Sequence, residues 1–237
     1  MLTRLVMNRC LELGRIEQDE EKVLARIRLE YGVLPKNPYV AAGFLGEFYT
    51  RMKAEELAQS HQDVSIFWMA RPVITNHYVF LGRRERPNIR VQRRLDARRI
   101  GEIDLVIIVE DEIKGTQTPI IIETHLARYK GYHTSVRNML QPARIERKRE
   151  LIGLLFNNLN GEKYQRPVVV YVVPKEQLKK LTVRESNMYR FVENGDLVVP
   201  FHTTKRNWIG EVERIIAACN GEKTDMPENG HKRPLAV

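Results

Sequence analysis

Apolar residues recur along this chain with two different periods, and the switches between them mark out its elements. Leu5, Val6, Cys10, Leu11 and Leu13 fall at helical spacing and predict a helix over 2–13; Val23, Leu24, Ile27 and Tyr31 predict a second over 17–31. Gly14 divides the two, and Gly32 is a natural stop. After a linker punctuated by Pro35 and Pro38, Leu45, Phe48, Met52 and Leu57 predict a helix over 41–59. The period then shortens. Val64 to Ile74 reads as strand despite Pro72, with His77 to Leu81 as its partner. Two β-branched runs follow, Gly101 to Val109 and Pro119 to His125, joined by a polar stretch over 110–118 that suits a hairpin. A long helix is expected over 135–158, with Ile145, Ile152, Leu155 and Phe156 on its core face and a kink at Pro142. Val168 to Val173 is continuously apolar, as in a strand covered on both faces. Leu197 to Phe201 is a weaker strand, and 207–219 a closing helix.

This order predicts an α/β fold in which a central mixed sheet is flanked by helices. With 237 residues the chain suits one sizeable domain over 39–220, an N-terminal helical arm over 1–38 and a polar, flexible tail over 221–237. No segment approaches the roughly 20 apolar residues of a membrane span, and the N-terminus lacks the apolar core of a signal peptide. A soluble, intracellular protein of the cytoplasm or a host cytoplasm is expected, with no membrane partner. Cys10 and Cys219 stand alone, which leaves neither a cysteine zinc site nor a disulfide framework.

Charge narrows the choice of partner. The formal net charge is +9, and clustered cations gain free energy by releasing counterions from nucleic acid. Arg83, Arg84, Arg86, Arg90, Arg93, Arg94, Arg98 and Arg99 crowd into 17 residues with only Glu85 and Asp96 against them. Such a run is a solvated face or a backbone-contacting surface for duplex or branched DNA, since guanidinium groups bind phosphate bidentately. Lys130 and Arg137, beside Tyr129, Tyr132 and His133, form a smaller second patch. No Walker loop, dinucleotide turn or nucleophile elbow is present.

Each of the two β-branched runs carries a carboxylate where a further hydrophobe would be ordinary: Asp104 and Glu123. If the runs pair as a hairpin, the two face each other near one end of the sheet and make a site for a hard divalent cation, Mg²⁺ or Mn²⁺. The alternative for each is a strand-end carboxylate paired with a nearby arginine.

Gly101-Glu102-Ile103-Asp104-Leu105 followed by Glu123 resembles the PD-(D/E)XK nuclease superfamily, where an Asp on one strand and a Glu on the next bind metal and a Lys two residues later completes the site. Gly43 and Glu47 have the spacing of the opening helix in its archaeal Holliday junction resolvase-like branch. The resemblance implies a restriction-endonuclease-like core, Asp104 and Glu123 as metal ligands, Glu47 as ligand or neighbour, and metal-dependent cleavage of DNA. Cutting of junction or branched DNA would further imply a homodimer, because two strands are cut at related positions. The position of the motif lysine is His125, which could act as base, metal ligand or core histidine. Lys130 in the next loop, or Lys148 on the next helix, could supply the cation instead. A catalytically inactive DNA-binding protein that keeps the nuclease fold, and a basic structural protein, are the alternative readings.

Overall fold

A computed structural model of the chain describes residues 4–15, 18–83, 86–124, 142–160, 164–173, 197–200 and 208–221. Among them, the chain enters through α1 (Arg4–Arg15), α2 (Glu20–Tyr31) and α3 (Pro38–Ser60). The caps are those the sequence offers. Asp19 accepts from the amides of Glu21 and Lys22 at the start of α2, Gly32 closes that helix at φ 62°, and Asn37 caps α3 ahead of Pro38. Gly14 does not divide helices as expected; it lies inside α1, and the break falls after Arg15.

Two sheets follow. β1 (Val64–Ile66) belongs to a five-stranded mixed sheet of order β1-β6-β7-β8-β9, completed by β6 (Leu105–Asp111), β7 (Thr116–Thr124), β8 (Val168–Val173) and β9 (Leu197–Pro200). β6 pairs antiparallel with β1 and β7, whereas β8 runs parallel to both β7 and β9. Between β1 and β6 the chain builds an antiparallel meander: β2 (Val73–Ile74), β3 (Tyr78–Arg83), β4 (Arg86–Arg93) and β5 (Arg99–Ile103). The α/β architecture of a mixed sheet flanked by helices is therefore present. The single strand expected over 64–74 is instead two strands in different sheets, separated around Pro72.

The meander shows that the arginine run also carries core residues. Ile89 and Val91 on β4 are buried, alternating with Asn88, Arg90 and Gln92, so one face of that strand contributes to the core. Gly82 sits where β3 closes on Met69: a Cβ there would lie 2.5 Å from the Met69 carbonyl oxygen.

Alternation along the central strands splits the core in two. Leu105, Ile107, Ile120, Ile122, Val168, Val170 and Val172 face α1, α2, α3 and the closing helix; Val106, Ile121, Val169 and Tyr171 face the meander and the helix Pro142–Asn160, here α4. The closing helix is α5 (Trp208–Asn220). Val6, Cys10, Leu13, Val23 and Ile27 are buried in the first of these clusters, so the N-terminal helices are a wall of the core and not an appended arm. Pro142 is the first described residue of α4; the part of the expected helix before it, and with it the expected kink, lies outside the described residues. No helix among the described residues is long and apolar enough to cross a membrane. Cys10 is buried and Cys219 half-buried, both as free thiols.

Phe156 anchors the α4 face. It is fully buried between Phe67 and Tyr164, with ring centroids at 4.7 and 4.5 Å. Phe156→Ala should lower stability by about 3–5 kcal/mol, the usual cost of emptying an aromatic site. Urea unfolding followed by circular dichroism measures it, and a loss below about 1 kcal/mol would show that this face can collapse around the cavity.

Candidate metal centre

The β6–β7 hairpin sets the site. Its register pairs Leu105 with Ile122 and Asp111 with Thr116, and Gly115 supplies the positive φ of 61° that its tight turn needs. One step beyond Leu105 and Ile122 the same register brings Asp104 level with Glu123. Asp104 is the single residue between β5 and β6, where the chain leaves the meander for the central sheet. Glu123 follows Ile121 by two and so points to the α4 face, while Thr124 follows Ile122 and points to α3.

Each side chain is held from its own side. The Thr124 amide donates to Asp104 Oδ2 at 3.0 Å, and the Thr124 hydroxyl donates to Thr50 Oγ1 on α3 at 2.8 Å. Glu123 is 4 % exposed and forms an ion pair through Oε2 with Lys148 of α4. Lys148 Nζ also donates to the Glu102 carbonyl oxygen at 3.5 Å. The second Glu123 oxygen, Oε1, is buried without a hydrogen-bond partner among the described residues.

Burial raises both carboxyls above their ordinary range. For Glu123 burial acts first and the adjacent Asp104 second, carrying it to about 8 against the opposing pull of Lys148. For Asp104 burial again leads, opposed by the Thr124 amide and Lys148. A hard cation reverses this logic, because it favours the charged carboxylates and satisfies the bare Oε1.

Among the described residues no group of three or more Asp, Glu, His or Cys is gathered closely enough to cage a metal. The donor set is thus two carboxylates, the number Mg²⁺ usually takes from protein when phosphate and water complete its shell. Glu47 lies in the interior of α3, well past its first turn. It lines a small cleft together with Thr50, Arg51, Asn88, Asp104 and Thr124, which puts it in the same cleft as Asp104.

Lys148 is the one lysine candidate within the described residues, and it meets Glu123. His125, Lys130, Arg137 and Arg84, with the Tyr129 to His133 patch, lie outside them, as does the tail over 222–237. Of the remaining arginines, Arg93, Arg94, Arg98 and Arg99 are exposed around the β4–β5 turn. Arg93 reaches Asp96 at 3.7 Å and Arg99 pairs with Glu102. Arg90 is half-buried with its Nε enclosed, which removes it from the free cationic surface. Of Arg83 only its place in β3 is described.

The chain matches no family model, no curated protein and no solved structure.

Thr50 and Thr124 escaped the sequence reading because threonine is ordinary in a strand and unremarkable on a helix. Their value lies in a contact between positions 74 residues apart.

The raised Glu123 carboxyl has a thermodynamic signature. It holds its proton to about 8 in the folded chain and to an ordinary carboxylate value when unfolded. The folded state therefore binds more protons between those limits, and this contribution to stability is full below the lower one and lost as pH rises through the upper. In metal-free buffer, Glu123→Gln should gain stability relative to wild type as pH rises from about 5 to about 8, by a slope approaching one proton. Parallel denaturant midpoints for the two proteins over that range would show that Glu123 ionises normally.

Proposed function

We propose that the protein is a Mg²⁺- or Mn²⁺-dependent DNA endonuclease similar to the PD-(D/E)XK superfamily. The observation that carries this reading is the meeting of three groups at one sheet end: Asp104 immediately before β6, Glu123 on the adjacent β7, and Lys148 arriving from α4 against Glu123. The superfamily pattern asks for two carboxylates and a cation, and the cation here comes from a helix in place of the strand position filled by His125.

Asp104 and Glu123 would hold the metal, with Glu47 and Asn88 lining the cleft that Asp104 shares. When bound, the metal polarises the scissile phosphate and lowers the pKa of the attacking water. Thr124 and Thr50 keep Asp104 aimed by fixing the end of β7 to α3. Lys148 holds Glu123 in place and offers its ammonium to the negative charge that builds on the phosphate. The net charge of +9 supplies general attraction for the polyanionic substrate. Junction cutting by a symmetric dimer is one form of this activity. A DNA-binding protein without catalysis is the second reading, favoured by His125 at the motif position.

Asp104→Ala and Glu123→Ala should each abolish metal-dependent cleavage of linear, flap or four-way-junction DNA while DNA affinity stays within a few fold, because phosphate contacts dominate binding. Lys148→Ala should lower the cleavage rate by about 10²–10³-fold. His125→Ala provides the comparison: a larger loss there than at Lys148 assigns the lysine task to position 125. Wild-type protein that cuts none of the three substrates with either metal would remove the enzyme and leave the binding reading.

Metal binding should itself be pH-linked. The Glu123 proton, held to about 8, must leave when the carboxylate takes a cation, so Mn²⁺ affinity should rise about tenfold per pH unit between about 6 and 8. Calorimetry in buffers of different ionisation enthalpy reads the proton directly; binding with no proton released places the metal away from Glu123.

A further inference from the structure

α4 carries three consecutive basic residues with two different fates. Arg149 is buried, donating to the Pro167 carbonyl oxygen at 2.9 Å and pairing with Glu146 at 2.6 Å. Arg147 and Lys148 instead join Arg144 and Leu151 on another side of the helix, at the i, i+3, i+4, i+7 spacing that shares one face. These four line a groove of about 280 Å³ whose opposite wall is β5, including Gly101 and Glu102.

The charges in this groove do not cancel. The Glu102 carboxylate is taken by Arg99 and by Asn88, whose Nδ2 donates at 2.6 Å, and the Lys148 ammonium is taken by Glu123. Arg144 and Arg147 are exposed and have no acidic partner among the described residues. The groove is therefore electropositive along α4, and Lys148 in its lining contacts Glu123 of the carboxylate pair. Its β5 wall runs from Arg99, at the arginine-bearing turn, to Ile103, the residue before Asp104. Two unpaired guanidinium groups one helical turn apart suit successive oxyanions on a chain better than a single small anion.

We propose that the β5–α4 groove seats the sugar–phosphate backbone of one DNA strand, with Arg144 and Arg147 as its phosphate contacts. The direction of that strand, into Asp104 and Glu123, rests on the nuclease reading; the seat itself does not. Gly101 offers a way to block it without changing charge, since a Cβ added there meets nothing within 4 Å.

The test is fluorescence anisotropy of a short labelled DNA duplex with the full chain in EDTA, titrated with salt. Arg144→Gln/Arg147→Gln should weaken binding about tenfold or more and flatten the slope of log K against log salt by about 1.8, two contacts at about 0.9 each. Lys22→Gln/Lys36→Gln removes the same charge from exposed positions elsewhere and should change the slope little. Gly101→Leu should weaken binding with net charge intact. A groove double variant that behaves like the Lys22/Lys36 control overturns the proposal, and a Gly101→Leu protein that melts like wild type and binds like it does the same. Failure of the two readings is distinguishable: weakened binding in the groove double variant of a protein whose wild type never cleaves removes the nuclease and keeps the groove, whereas wild-type cleavage with an unchanged salt slope in the double variant removes the groove alone.

Discussion

The register of β6 against β7 is the constraint on which the rest of the site depends. Both strands are apolar on both faces, and a slip of one residue would exchange the residues meeting α3 with those meeting α4. Leu105 and Ile122 would then leave the cluster they share with Leu45 and Phe48, and Val106 and Ile121 the cluster they share with Ile152 and Phe156. The covering helices thus hold the hairpin in one alignment. Asp104 opposite Glu123 is a consequence of that alignment and requires no separate device.

Placing two carboxylates there has a cost that the surroundings only partly offset. Glu123 is almost wholly enclosed, its neighbour Asp104 repels it, and one of its oxygens has no donor among the described residues. A buried carboxylate with a single lysine partner is poor economy for stability, and an apolar side chain of similar size would serve the fold better. The Lys148 contact, the Thr124 amide and the Thr50 hydroxyl hold the geometry in place. Such a concentration of desolvation, like charges and a specific counter-charge at a cleft is the physical pattern of a working site.

The meander has a double role in this arrangement. Phe80, Ile89, Val91 and Ile103 on its inner side complete the core above α4, and its last strand hands the chain to Asp104. Its outer positions and the β4–β5 turn carry arginines. A small sheet inserted between β1 and β6 therefore roofs one half of the core, carries cationic charge and delivers a metal-ligand candidate, all from one run of sequence.

Sequence alone determined the elements whose burial pattern is local. Val168 to Val173 reads as a doubly covered strand because no polar residue interrupts it, and Ile145, Ile152, Leu155 and Phe156 identify their helix face by spacing; Val168 to Val172 and all four helix residues are buried as that pattern requires. The polar 110–118 stretch marked the hairpin, and the hairpin placed Asp104 beside Glu123. What depends on contacts distant in sequence was not legible. The alternation of Ile89 and Val91 is masked by the arginines around them, so β4 declares itself only once a second sheet exists to bury it. The role of Lys148 depends on α4 crossing the end of β7, and that of Thr50 on α3 crossing its other face. Side-chain type says which residues can bind metal or phosphate, but which of them meet is decided by the packing of helices on the two faces of one sheet.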